Sequence, residues 1–61
     1  MVEIKYNTPI KVSKAQMLRV ANELNGVCAY RTDSDGNHWV SQWYANSYYK
    51  FKLNEIINGS N

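Results

Sequence analysis

The chain is poor in the residues from which small proteins build covalent staples and reactive sites. It has one cysteine and one histidine among 61 residues. A single thiol excludes an intramolecular disulfide, and one Cys beside one His falls short of a zinc ligand set. The three glycines, Gly26, Gly36 and Gly59, stand far apart, so there is no glycine-rich phosphate loop. Pro9 is the single proline, and no repeat or low-complexity segment occurs. No apolar run approaches the roughly 18 residues of a membrane-spanning helix. The opening MVEIKYN alternates polar and apolar residues and lacks the apolar centre of a signal peptide. A lone thiol without an export signal predicts a reducing, cytoplasmic setting. In that setting Asn58-Gly59-Ser60 carries no glycan, although it matches the acceptor pattern.

Length limits what remains. A domain of 61 residues buries only about 60% of its unfolded surface and is marginally stable. With disulfide and metal excluded, support has to come from aromatic packing or from oligomerisation, a homodimer included. The formal charge of +2 permits contact with nucleic acid or acidic protein surfaces without demanding either.

What the chain does have is aromatic residues, and seven of the eight fall between Val27 and Leu53. This stretch predicts three antiparallel strands: VCAYRT, a turn DSDGN, HWVSQWY, a short ANS link and YYKFKL. Asp35-Gly36 suits a two-residue turn, because glycine accepts positive φ and Asp tolerates it. That turn pairs Thr32 with Trp39, Tyr30 with Ser41 and Cys28 with Trp43. A three-residue link at Ala45-Asn46-Ser47 then sets Trp43 opposite Tyr49, Ser41 opposite Phe51 and Trp39 opposite Leu53. One face carries Cys28, Tyr30, Trp39, Trp43, Tyr49, Phe51 and Leu53 and is assigned to the core. The other carries Val27, Ala29, Arg31, His38, Val40, Gln42, Tyr44, Tyr48, Lys50 and Lys52. A slip of one residue would exchange the two sets.

Upstream, Val2, Ile4 and Tyr6 have the alternation of a short strand. Asn7-Thr8-Pro9 ends it, leaving Ile10 to Val12 as an extended link. Ser13 and Gln16 have the spacing of a capping box, and Val12 and Met17 that of a hydrophobic staple. They predict a helix over 14–25, with Met17, Leu18, Val20, Ala21 and Leu24 on its apolar face and Gly26 as its stop. The tail reads two ways: Tyr49, Leu53, Ile56 and Ile57 fit a helix, whereas Tyr49, Phe51 and Leu53 fit a strand. Aromatic content favours the strand as far as Leu53, with room for a helical turn over 54–57. The expected fold is a single α+β domain over residues 1–61. One helix packs on a mainly antiparallel sheet, in the order β-α-β-β-β.

Reactive constellations are few. Asp33-Ser34-Asp35-Gly36-Asn37 opens like a calcium loop, but positions six and twelve are His38 and Tyr44 instead of Gly and Glu, so it reads as a turn. His38 has Asp33 and Asp35 nearby but no positioned nucleophile. Cys28 falls on the opposite sheet face from His38 and reads as a small core residue. Trp39 and Trp43 have the spacing of a stacking platform, yet large aromatics dominate small cores and the core reading is preferred. No catalytic, metal-binding or cofactor-binding residues are assigned. The candidate partner-binding face is Arg31, Gln42, Tyr44, Tyr48, Lys50 and Lys52, with Tyr44 and Tyr48 as its anchors. Rings mixed with cations suit a protein interface. The same mixture would serve single-stranded nucleic acid, with lysines on phosphates and tyrosines stacking. A merely solvated face is the third reading.

Eight asparagines and five tyrosines in a small, cysteine-poor chain give the composition of AT-rich coding sequence. In size and composition the chain resembles the small accessory proteins of bacteriophages. The resemblance implies a non-enzymatic protein that binds a host protein in the host cytoplasm and inhibits or modulates it by occlusion. The alternative is a small nucleic-acid-binding module using the Tyr/Lys/Arg sheet face.

Overall fold

Ser13 and Gln16 start the first helix. In the computed structural model, which describes residues 3–59, Ser13 Oγ accepts the Gln16 N–H at 3.1 Å. Gln16 Oε1 accepts the Ser13 N–H at 2.8 Å, completing the capping box. The helix, α1, spans Lys14–Glu23. It ends where the Leu24 N–H bonds the Val20 carbonyl and Gly26 takes φ +94°, the left-handed conformation that a helix stop requires. Val20 and Leu24 are buried, Met17 packs partly against the core, and Leu18 is exposed.

The sheet has three antiparallel strands, β1 (Ile10–Val12), β2 (Cys28–Thr32) and β3 (His38–Gln42), in the order β1-β3-β2. The first strand is therefore the segment expected to be a link. Ile10 and Val12 point inward and pair with Val40 and His38. Ile4 is buried without belonging to a strand, and Val2 lies outside the described residues.

The hairpin register differs by one residue from the sequence expectation. Thr32 pairs with His38, Tyr30 with Val40 and Cys28 with Gln42. The cause is a three-residue loop, Ser34-Asp35-Gly36. The Gly36 N–H bonds the Asp33 carbonyl at 3.1 Å, the Asp33 N–H bonds the Asn37 carbonyl at 2.9 Å, and Gly36 adopts φ +85°. This is a tight turn followed by a left-handed residue, the common three-residue hairpin. Asp33 Oδ1 braces it by accepting the Asp35 and Asn37 N–H groups, each at 2.9 Å. The slip exchanges the faces of β3 and leaves Cys28, Ala29 and Arg31 where the sequence reading set them. Val40 and Gln42 turn inward beside Cys28, while Trp39 and Ser41 turn outward beside Ala29 and Arg31.

The expected third strand is a helix. Asn46, read from sequence as part of a link, caps α2 (Ser47–Asn54) by accepting the Tyr48 and Tyr49 N–H groups at 3.0 and 3.2 Å. The chain continues as a wider π-helical turn over Glu55–Gly59. Helical spacing buries Leu53 and Ile56 and turns Phe51 to solvent. Gln16 Nε2 donates to the Ile56 and Ile57 carbonyls, both at 3.3 Å, and so ties the start of α1 to this turn. The molecule is thus α+β, as expected, but in the order β-α-β-β-α with a second helix in place of the last strand.

The core is aliphatic where the sequence reading made it aromatic. Ile4, Ile10, Val12, Val20, Leu24, Cys28, Val40, Leu53 and Ile56 form one cluster between the helices and the inner sheet face.

Candidate functional site

Gln42 organises the loop that links β3 to α2. It is fully buried at the end of its strand. Its Nε2 donates to the Tyr44 carbonyl at 2.8 Å and to the Asn46 carbonyl at 3.1 Å. Its own main-chain carbonyl accepts the Asn7 N–H at 2.8 Å. Gln42 Oε1 has no hydrogen-bond partner among the described residues. Reversing the amide would aim that oxygen at two carbonyls, so the orientation follows from the acceptors around it. The Trp43 and Tyr44 N–H groups bond the Val27 carbonyl at 3.3 and 3.4 Å. With the backbone held on the inside, the side chains of Trp43 and Tyr44 project outward.

The result is a chain of rings on the surface. Trp43 and Tyr44 meet edge to face with centroids 6.0 Å apart, Tyr44 and Tyr49 lie 6.2 Å apart, and Tyr49 and Tyr48 lie 5.3 Å apart. Such spacings fall within the favourable range for aromatic pairs. Three of the rings are exposed, Trp43 at 52%, Tyr44 at 45% and Tyr48 at 62%, while Tyr49 is half-buried against the core. Phe51, at 59%, follows Tyr48 by three residues and so shares its side of α2.

The six residues assigned from sequence separate into different environments. Tyr44 and Tyr48 both belong to the ring cluster, but they are joined through Tyr49 where the strand pairing set them side by side. Lys50 places Nζ 5.0 Å from the centre of the Tyr6 ring, a cation–π contact. Lys52 is half-buried on α2. Arg31 lies on the outer face of the sheet. Gln42 is interior and shapes the surface only through the loop it holds; the register slip turned it inward. Trp43 and Phe51, which the strand reading put in the core, are exposed instead. The spacing of Leu53 from Ile56, with Asn46 ahead of them, is the sequence signal that would have exposed them.

Burial pushes the Cys28 thiol up to about 11, so it stays protonated and inert at neutral pH. His38 Nδ1 lies 2.8 Å from Thr32 Oγ1. On α1, Arg19 and Glu23 form an ion pair of 2.9 Å. The hydrogen bond from Arg19 is the main reason the Glu23 carboxyl sits below its ordinary value. Among the described residues no group of three or more His, Cys, Asp or Glu side chains could hold a metal ion. Among them, too, no helix is long and apolar enough to cross a membrane.

No family model, curated protein or solved structure matches this chain. The functional reading therefore rests on the geometry of the ring cluster itself.

Proposed function

We propose that the chain is a non-enzymatic binding protein whose partner is another protein, seated on Trp43, Tyr44, Tyr48 and Phe51. The observation that carries this reading is the exposure of those four aromatic side chains on a 61-residue chain, three of them joined through ring contacts that include Tyr49 and the fourth one helical turn beyond Tyr48. Large contiguous apolar surface is uncommon on small monomers and marks interaction sites. Tyr and Trp give contact area at low entropic cost and dominate the energetics of protein interfaces. The loop presenting two of the rings is anchored by a buried glutamine. A preorganised surface of this kind loses less entropy on association. Lys52 follows Tyr48 by four residues on α2 and supplies a cation at the edge of the rings, whereas Lys50 is turned to the Tyr6 ring. Composition and size favour a phage-type accessory protein, which would inhibit or modulate a host protein by covering its working surface.

The test is capture of partners from bacterial lysate with the tagged protein, followed by affinity measurement on the purified pair. Tyr44→Ala and Tyr48→Ala should each weaken the complex by about 2 kcal/mol or more if the rings are hot spots. A Tyr44→Ala/Tyr48→Ala double variant with native circular dichroism and undiminished affinity would refute the assignment.

A further inference from the structure

The sheet face turned away from the helices is open, and its chemistry differs from that of the ring cluster. Strand pairing places Lys11, Trp39 and Arg31 in one row across β1, β3 and β2. Lys11 and Arg31 are exposed, and Trp39 is half-buried between them. Ala29 and Ser41 form the next row. A shallow groove of about 140 Å³ runs beside the indole, lined by Pro9, Ala29, Tyr30, Arg31, Trp39 and Ser41. At the hairpin end, Asp33 Oδ2 accepts the Trp39 indole N–H at 2.9 Å and fixes the edge of the ring. The other oxygen of that carboxylate already accepts two backbone N–H groups. Asp33 is therefore an internal brace of the indole, although its negative charge lies near Arg31.

We propose that this face binds single-stranded nucleic acid, with one base in the groove against Trp39 and neighbouring phosphates on Lys11 and Arg31. Strands lie about 4.8 Å apart, so the two cations rise from positions about 10 Å apart on either side of the ring. Long flexible side chains on both flanks of an aromatic ring complement a ligand that is planar in the middle and anionic on both sides. A run of unpaired nucleotides has that form, because base stacking on aromatics and phosphate contacts to cations are its two recognition modes. A duplex keeps its bases stacked and offers no ring to the groove. An acidic peptide would satisfy the cations and leave the indole without a partner. The proposal uses other residues than the protein-binding surface.

Trp43→Phe leaves Trp39 as the only tryptophan, so fluorescence of that variant, excited at wavelengths that tyrosine does not absorb, reports this face alone. Oligothymidylate, oligouridylate and polyglutamate are titrated into it across a salt series. The expected result is saturable quenching by nucleic acid, with a log–log salt slope of about 1.4 for two phosphate contacts to a single strand. Binding of either oligothymidylate or oligouridylate supports the site. Lys11→Gln/Arg31→Gln, in the same background, should bring the slope close to zero. With a labelled oligonucleotide, Trp39→Leu should bind at least fivefold more weakly. If Trp39→Leu fails to fold, the salt series on the folded Trp43→Phe protein decides. Absence of quenching at low salt, an unchanged slope in the double glutamine variant, or equal competition by polyglutamate would overturn the proposal.

Discussion

Asp33 is where a single side chain does most to define the structure. Its carboxylate accepts two loop N–H groups and the Trp39 indole, tying the turn to the outer sheet face. These bonds hold the carboxyl below the usual carboxylate range. The indole contributes most, then the Asn37 N–H, and Arg31 adds a smaller attraction. A carboxyl depressed in the fold stabilises it above the unfolded value of about 3.9, and that contribution disappears as pH falls through the lower folded value. Thermal melts taken from pH 6 down to pH 2 should therefore show a loss of stability on the acid side. Asp33→Asn should be less stable than the parent at pH 6, because its amide would set an N–H against the indole N–H or forgo a loop contact. It should also depend less on pH below 4. Glu23, shifted in the same direction by Arg19, accounts for the dependence that persists. An Asp33→Asn profile parallel to the parent's throughout would show that Asp33 is not the source. In sequence, Asp33 was legible as a turn residue. Its bond to Trp39 was not, because the two-residue turn sent that indole to the opposite face.

Among the elements, α1 was legible and α2 was not, and the difference is physical. Ser13, Gln16 and Gly26 are local signals whose partners lie within the helix ends, so they act without help from the rest of the fold. Residues 47–54 carry conflicting signals. Tyr48, Tyr49 and Phe51 favour a strand by propensity, and Tyr49, Phe51 and Leu53 alternate as a strand would. Leu53 and Ile56 share a helical face, and only the assembled core decides in their favour, by burying both. The two conformations make opposite demands on Phe51 and Leu53. A strand would bury both; the helix buries Leu53 and leaves Phe51 in water. Leu53→Ala should accordingly cost about 2–5 kcal/mol. Phe51→Ala should change stability by no more than about 0.5 kcal/mol, as exposed substitutions do. Denaturant melts of the two variants check this. Equal, large losses would restore the strand and return Phe51 to the core.

At the scale of the whole molecule, the chain divides its apolar residues between a small aliphatic interior and an aromatic exterior. The α+β class and the central hairpin could be read from the sequence. The location of the candidate site could not, because one extra loop residue reversed β3 against β2 and took Trp39, Trp43 and Gln42 with it. For stability alone the division is unfavourable. A domain this size has few buried groups to oppose conformational entropy, and Trp43 would contribute more inside than at 52% exposure. Such a surface makes sense if its stabilising contribution appears on association. That account separates two sets of substitutions. Leu24→Ala, in the core, should cost about 2–5 kcal/mol of folding stability. Trp43→Ala should lower stability by less than about 1 kcal/mol, yet weaken the protein complex by about 2 kcal/mol or more, some thirtyfold in Kd. Melts and partner titrations on the same two proteins make the comparison. If Trp43→Ala melts as early as Leu24→Ala, the indole is a structural ring, and its contacts with Tyr44 and the loop would then exist to hold the fold together.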